Sequence, residues 1–89
     1  MLTIHKFPID ICDNQVVEMP VGAQVLSAEL QRGSPCLWAL IDTDKELTPR
    51  RITIRGTGHC CTPSDGRFIN TIMMARESLV WHVFDGGEL

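Results

Sequence analysis

Alternation of apolar and polar residues with a period of two is the feature that most constrains the fold of this chain. Residues 23–31 place Leu26, Ala28 and Leu30 on one face and Ser27, Glu29 and Gln31 on the other. Residues 50–57 alternate too, with Ile52 and Ile54 inward and Arg51, Thr53 and Arg55 outward. Successive side chains of a strand point to opposite faces, whereas a helix repeats every 3.6 residues. The pattern favours half-buried strands, and a helix over residues 21–30 fits it less well.

Further strands are predicted between residues that favour turns. They cover residues 2–8, 16–19, 36–41, 68–75 and 79–84. Turns are predicted at residues 32–35, 61–67 and 76–78, and a polar loop at residues 42–49. About seven short strands spaced by turns predict an all-β fold, a small antiparallel β-sandwich or barrel. The 89 residues are expected to form a single domain, 1–89.

Two predicted strands, residues 36–41 and 79–84, are apolar on both faces. Such strands lie centrally, under a second sheet or a partner subunit, so Trp38 and Trp81 are expected to be buried. A chain of 89 residues builds only a thin core. These two observations predict a homo-oligomer.

Composition restricts the classes of function. The formal net charge of −3 argues against general nucleic-acid binding. No apolar run is long enough for a membrane span or a signal peptide, so we expect a protein inside the cell without membrane contact. Its four cysteines are then expected to be thiols, although their even number also allows two disulfides.

The segment "RGTGHCC", residues 55–61, suggests a site. Two glycines allow backbone N–H groups to approach an anion, although no lysine or helix follows as in a P-loop. Residues 50–76 contain five arginines and one acid, Asp65, a local balance of 5 − 1 = +4. An anion-binding site is therefore one interpretation, and a solvated sheet face whose arginines pair with glutamates on neighbouring strands is the other. The predicted ligand-binding residues are Arg51, Arg55, Gly56, Thr57, Gly58, His59 and Arg67.

Metal binding and catalysis receive weaker support. His59, Cys60 and Cys61 are zinc-ligand types, but no C-x-x-C spacing is present. His59 and Cys60 are neighbours that point to opposite faces of a strand, so they do not form a nucleophile–base pair. No cofactor, no metal and no enzymatic activity are predicted.

Four segments carry a resemblance to a known family: "HKFPIDI", "VEMPVGAQVLSAELQRGSPCLWALID", "IRGTGH" and "VWHVF". In this order they resemble a family of short proteins encoded by tailed bacteriophages and prophages. The resemblance implies an accessory protein that acts in the host cytoplasm, and it carries no activity that transfers residue by residue.

Two functions follow as expectations. One is a non-enzymatic binding protein that sequesters a phosphate-bearing small ligand, such as a nucleotide-like anion, or covers an acidic host protein surface, in counter-defence or host takeover. The alternative is a structural or assembly component of the phage particle.

Overall fold

The computed structural model describes residues 1–89 and is built almost entirely of strands. These are β1 (Leu2–Pro8), β2 (Asn14–Pro20), β3 (Gln24–Gln31), β4 (Ser34–Asp42), β5 (Leu47–Gly56), β6 (Arg67–Met74) and β7 (Leu79–Glu88). A short 3₁₀ turn, Pro63–Asp65, is the one helical segment, and nothing in the structure has the helical length and apolarity of a membrane span. The prediction of an all-β fold with about seven strands is confirmed.

The strands form two antiparallel sheets. The three-stranded sheet has the order β1-β4-β3, and the four-stranded sheet has the order β2-β5-β7-β6. Both sheets contribute to one cluster of 12 buried residues, in which Leu37 and Ile52 are fully buried. Because each sheet keeps two edge strands, the fold is a sandwich and not a closed barrel.

The two segments predicted to be central are central. β4 lies between β1 and β3, and β7 lies between β5 and β6. Within the chain, however, β4 is covered completely on one face only: Leu37 and Ala39 are fully buried, while on the other face Cys36 is buried but Trp38 and Leu40 remain partly exposed. Trp81 on β7 is partly exposed as well. The expectation of complete burial for both tryptophans is therefore wrong for the single chain.

β3 departs from simple alternation at Leu26. Val25 pairs with Ala39 and Ser27 pairs with Trp38, so Leu26 is an extra residue without a partner on β4. Such a bulge shifts the phase of a strand. Val25 is buried as a result, and Leu26 stays 43% exposed. The prediction that Leu26 shares a buried face with Ala28 is wrong.

The connection between β4 and β5 is shorter than the predicted loop at residues 42–49. β4 continues to Asp42 and β5 begins at Leu47. The polar residues that suggested a loop are partly strand residues, since Thr48 pairs with Met19 and Pro49 with Glu18 on β2. Only residues 43–46 turn the chain.

Side chains of the four-stranded sheet hold the free edge of β3. The amide Oδ1 of Asn70 accepts a hydrogen bond from the Ala28 N–H (2.7 Å), and its Nδ2 donates to the Ala28 carbonyl (2.6 Å). Arg67 Nη2 donates to the carbonyl of Val25 (2.9 Å). Backbone groups at a strand edge need partners, and these side chains supply them. One side of the sandwich is closed in this way.

Asp85, on β7, contacts two arginines at the side of the sandwich where β6 meets the free edge of β3. Its carboxylate lies 3.2 Å from Arg50 Nε and 3.8 Å from Arg67 Nη2. The contact with Arg50 is an ion pair by distance, although Nε does not have the angle of a hydrogen bond. Arg50 Nη1 donates instead to the carbonyl of Ala23 (2.8 Å). Of the five clustered arginines, Arg50 is therefore buried inside the sandwich, while Arg67 lies at its side with 59% of its side chain exposed.

Candidate functional site

Arg55 and Asp65 form a two-point ion pair beside the predicted loop. Arg55 Nη2 donates to Asp65 Oδ1 (2.8 Å), and Nε donates to Oδ2 (3.2 Å). Only 13% of the Arg55 side chain and 2% of the Asp65 side chain are exposed. Hydrogen bonding by Arg55 lowers the pKa of the Asp65 carboxyl, because the guanidinium stabilises its ionised form. We call this pair the Arg55–Asp65 clamp.

Arg51 and Thr53 lie on the same face of β5. Arg51 Nη1 donates to the Ser64 carbonyl (3.1 Å), and Nη2 lies 3.9 Å from Asp65 Oδ1. Thr53 Oγ1 donates to the carbonyl of Asp65 (3.1 Å) and is fully buried. The predicted outward direction of these side chains is correct, but Thr53 is not exposed, because the turn containing Asp65 covers it.

The turn before β6 places Asp65 over β5. The N–H of Thr62 donates to Asp65 Oδ2 (3.1 Å), and the N–H of Asp65 donates to the Thr62 carbonyl (3.0 Å). Gly66 follows with φ 100°, and a Cβ there would lie 2.1 Å from the Asp85 carbonyl oxygen. Glycine is therefore required at this position. The turn that carries Asp65 of the clamp therefore depends on glycine at position 66.

Residues 56–61 form the glycine loop, which leads from β5 toward the clamp. The N–H of His59 donates to the Gly56 carbonyl (3.0 Å), and a Cβ at Gly56 would lie 2.8 Å from His59 Cε1. The ring of His59 therefore rests on Gly56, where only glycine leaves it room. Gly58 has φ 86°, which allows the chain to reverse. His59 itself is exposed.

A hollow of about 430 Å³ opens beside the glycine loop. It is lined by Asp13, Asn14, Arg55, Gly58, His59 and Cys60. Arg55 also donates through Nη1 to the carbonyl of Asp13 (2.7 Å), which fixes the opposite wall. The hollow is within the size range of small-ligand sites.

Three of the seven predicted ligand-binding residues line this hollow: Arg55, Gly58 and His59. Arg51 and Arg55 share one face of β5, and Gly56, Thr57, Gly58 and His59 continue directly from its end. Arg67 lies elsewhere, because it contacts Asp85 and Val25 on the side of β6 that faces β3. The structure therefore does not place Arg67 with Arg51 and Arg55.

Sequence reasoning missed the partners of two predicted residues. Asp65 binds Arg55, and the signal was present: it is the single acid among five arginines. His82 binds Thr57, with Nε2 2.8 Å from the Thr57 hydroxyl and Nδ1 2.9 Å from the Thr71 hydroxyl. The pairing of His82 with Thr71 across β6 and β7 could not be read from the sequence alone.

The cysteines are all free thiols. Cys12, Cys60 and Cys61 are exposed, and Cys36 is buried. The Cys61 thiol lies 3.8 Å from the His59 carbonyl oxygen, a weak contact at most. No group of three or more histidine, cysteine or acidic side chains is arranged to hold a metal ion.

Fold and site together define a small antiparallel β-sandwich whose exposed glycine loop is held by an internal ion pair. The chain belongs to the family described as a domain of unknown function (DUF7352), which it matches over residues 1–88. No curated protein and no solved structure shows significant similarity to it.

Proposed function

We propose that this chain is a non-enzymatic binding protein that holds an anionic ligand in the hollow beside the glycine loop. The proposal includes a phage or prophage origin and action in the host cytoplasm, which rest on the resemblance of the four sequence segments. The observation that carries it is the hollow itself, with Arg55 in its wall and His59 exposed at its rim. Phosphate-bearing small molecules fit the size and the donor groups of such a site.

The clamp limits how strongly the arginines attract the ligand. Arg51 and Arg55 contribute two positive charges, and Asp65 and the Asp13 residue in the wall of the hollow contribute two negative ones, so the formal balance is 2 − 2 = 0. Arg55 is already occupied by Asp65 and by the Asp13 carbonyl. Arg51 does not line the hollow, but its Nη2 donates to Asn14 Oδ1 in the wall (3.4 Å), and its side chain is 31% exposed and less engaged than that of Arg55. Arg51 and His59 are therefore the side chains that we assign to ligand contact, and Arg55 holds the loop in place.

The contacts of His82 support a binding role over catalysis. The side chains of Thr57, His82 and Thr71 are linked by two hydrogen bonds, in the order of a nucleophile, a base and a group that orients the base. Its third member is a neutral hydroxyl, however, and a charged carboxylate is what stabilises a protonated imidazole in serine hydrolases. We interpret the three side chains as a bridge that fixes the glycine loop to β7 and β6.

Calorimetry against a panel of mono-, di- and cyclic nucleotides tests the proposal. We expect one nucleotide class to bind, and Arg51→Ala and His59→Ala each to weaken binding roughly tenfold, the loss of about one charge-assisted hydrogen bond. Arg32→Ala, in the exposed turn between β3 and β4, is the matched control and should bind like wild type. Added salt should weaken binding, since exposed charges are screened within about 10 Å at 0.1 M.

Two results would reject the ligand site: no binding of any nucleotide, or equal affinity in wild type, Arg51→Ala and His59→Ala. Fractionation of infected cells addresses the alternative, a component of the phage particle. A binding protein is expected in the soluble fraction, whereas a particle component purifies with virions.

A further inference from the structure

An apolar patch covers the outer face of the three-stranded sheet. It consists of Leu2, Ile4, Leu26, Trp38 and Leu40. Leu2 is 69% exposed, Ile4 55% and Leu26 43%, and the other two are partly exposed. Ile4 pairs with Leu40 across the sheet, and Leu26 lies next to the residue that pairs with Trp38. Paired residues of neighbouring strands point to the same side, so the patch is continuous.

The outer face of the four-stranded sheet, on the opposite side of the sandwich, is partly covered by the chain itself. There, the turn with Asp65 covers β5, and Thr53 beneath it is fully buried. No comparable segment lies over β4, whose Trp38 and Leu40 stay partly open. Continuous apolar surface on a small protein marks an interaction site.

Two charged residues flank β4 on the same face. Lys6 on β1 pairs with Trp38, and Glu29 on β3 pairs with Cys36, so the two lie on opposite sides of the central strand. Lys6 Nζ reaches across β4 and donates to Gln31 Oε1 on β3 of its own chain (2.6 Å), and Glu29 takes part in none of the ion pairs of the chain. Each charge therefore lacks an ionic partner of its own.

A two-fold axis that runs parallel to β4, just above the outer face of the sheet, would give Lys6 and Glu29 ionic partners in the second copy. Rotation about it places β1 of one copy over β3 of the other, because these strands flank β4 on either side. Lys6, once its side chain turns from Gln31, then approaches Glu29 of the other copy, and Ile4 approaches Leu26, each within about two residues along the strands. Trp38 meets its own symmetry mate. Such self-complementarity is what an isologous interface requires.

We propose that the chain forms a two-fold dimer through the outer face of the three-stranded sheet, with Lys6 of each copy paired to Glu29 of the other. This second copy completes the cover of β4 that a single chain lacks. The proposal is independent of the ligand site, since the glycine loop belongs to the four-stranded sheet.

Sedimentation equilibrium in the micromolar range tests the dimer. Wild type should show twice the 10.0 kDa mass of the chain. Ile4→Arg should raise the dimer dissociation constant by roughly tenfold or more, because it places a charge in the apolar contact. Val16→Arg is the matched control: Val16 is 56% exposed, as Ile4 is 55%, but it lies on β2 of the other sheet. It should leave the dimer intact.

A charge exchange tests the arrangement of the two copies. Lys6→Glu and Glu29→Lys alone should each weaken the dimer, because they oppose like charges, and the double variant should restore it. Far-UV circular dichroism confirms that each variant keeps its strands. The proposal is overturned if wild type sediments as a monomer throughout, if Val16→Arg weakens association as much as Ile4→Arg, or if the double variant is no better than the single ones.

Discussion

The side-chain amide of Asn70 pairs with both backbone groups of Ala28, at 2.7 Å and 2.6 Å, in the way that a neighbouring strand would. Asn70 belongs to β6 in one sheet and Ala28 to β3 in the other, so this one side chain connects the two layers. Ala28 is fully buried. Its N–H and carbonyl would have no partner without the amide.

Replacement of Asn70 by alanine should lower the free energy of unfolding by about 1–3 kcal/mol, the usual cost of leaving a buried polar group unpaired. Urea denaturation measures it. Asn14→Ala, at an exposed position with one 3.4 Å side-chain contact, should change stability by only about 0.5 kcal/mol. Equal effects of the two substitutions would contradict the bridging role of Asn70.

The clamp makes stability depend on pH. The pKa of Asp65 is lowered in the folded protein, mainly by its hydrogen bond with Arg55. The stabilisation is therefore complete above the pKa of an unfolded aspartate, about 3.9, and is lost as the pH falls through the lower folded value. Asp65→Asn should be less stable than wild type at neutral pH, and the difference should shrink below about pH 4.

Urea midpoints of both proteins between neutral and acidic pH provide the measurement. Asp10→Asn, in the exposed connection between β1 and β2, serves as the control and should follow wild type. A difference between Asp65→Asn and wild type that stays constant into strong acid would show that the carboxylate charge is not what stabilises the loop.

Gly66 should not tolerate a side chain. Its φ is 100°, and a Cβ would meet the Asp85 carbonyl at 2.1 Å, so backbone has to move. Gly66→Ala should cost about 4 kcal/mol or more, in the exceptional range for a single substitution. Gly33→Ala is matched in conformation, with φ 79°, but has open space around it, and it should cost about 1 kcal/mol. Thermal unfolding distinguishes the clash from the conformational strain alone.

Trp81 carries a buried indole N–H without a hydrogen-bond partner. Phenylalanine keeps an aromatic ring and removes that N–H, so Trp81→Phe should change stability by less than about 1 kcal/mol in either direction. Trp81→Ala, which removes the packing against the core as well, should cost about 3 kcal/mol. A loss in Trp81→Phe as large as in Trp81→Ala would indicate that the N–H has a partner.

Strand positions could be predicted because alternation is a local property. The strands around Ile52 and Ala28 follow directly from it, and both central strands are recognised by their unbroken apolar residues. Leu26 could not be placed, because the bulge depends on the pairing of β3 with β4, which the order of residues does not express.

The placement of Arg51 and Arg55 on one face of β5 was predictable, but the charge balance around them was not. Alternation places Arg51 and Arg55 on one face, and the glycine loop follows them. The neutralising contact comes from Asp65 in a turn, and only the folded chain shows which of the nearby arginines it binds. Arg67 illustrates the same limit, since its contact with Asp85 depends on the pairing of β6 with β7.

The interleaved strand order also sets when each part of the chain can fold. Asn14 at the start of β2 finds its partner Thr53 only on β5, and the four-stranded sheet lacks its third strand until residues 79–88 are present. Such distant pairing slows folding into the millisecond-to-second range that is common for sandwiches. During synthesis β2 therefore emerges well before the strand that covers its edge, and a truncation within β7 leaves β5 and β6 without the strand that joins them.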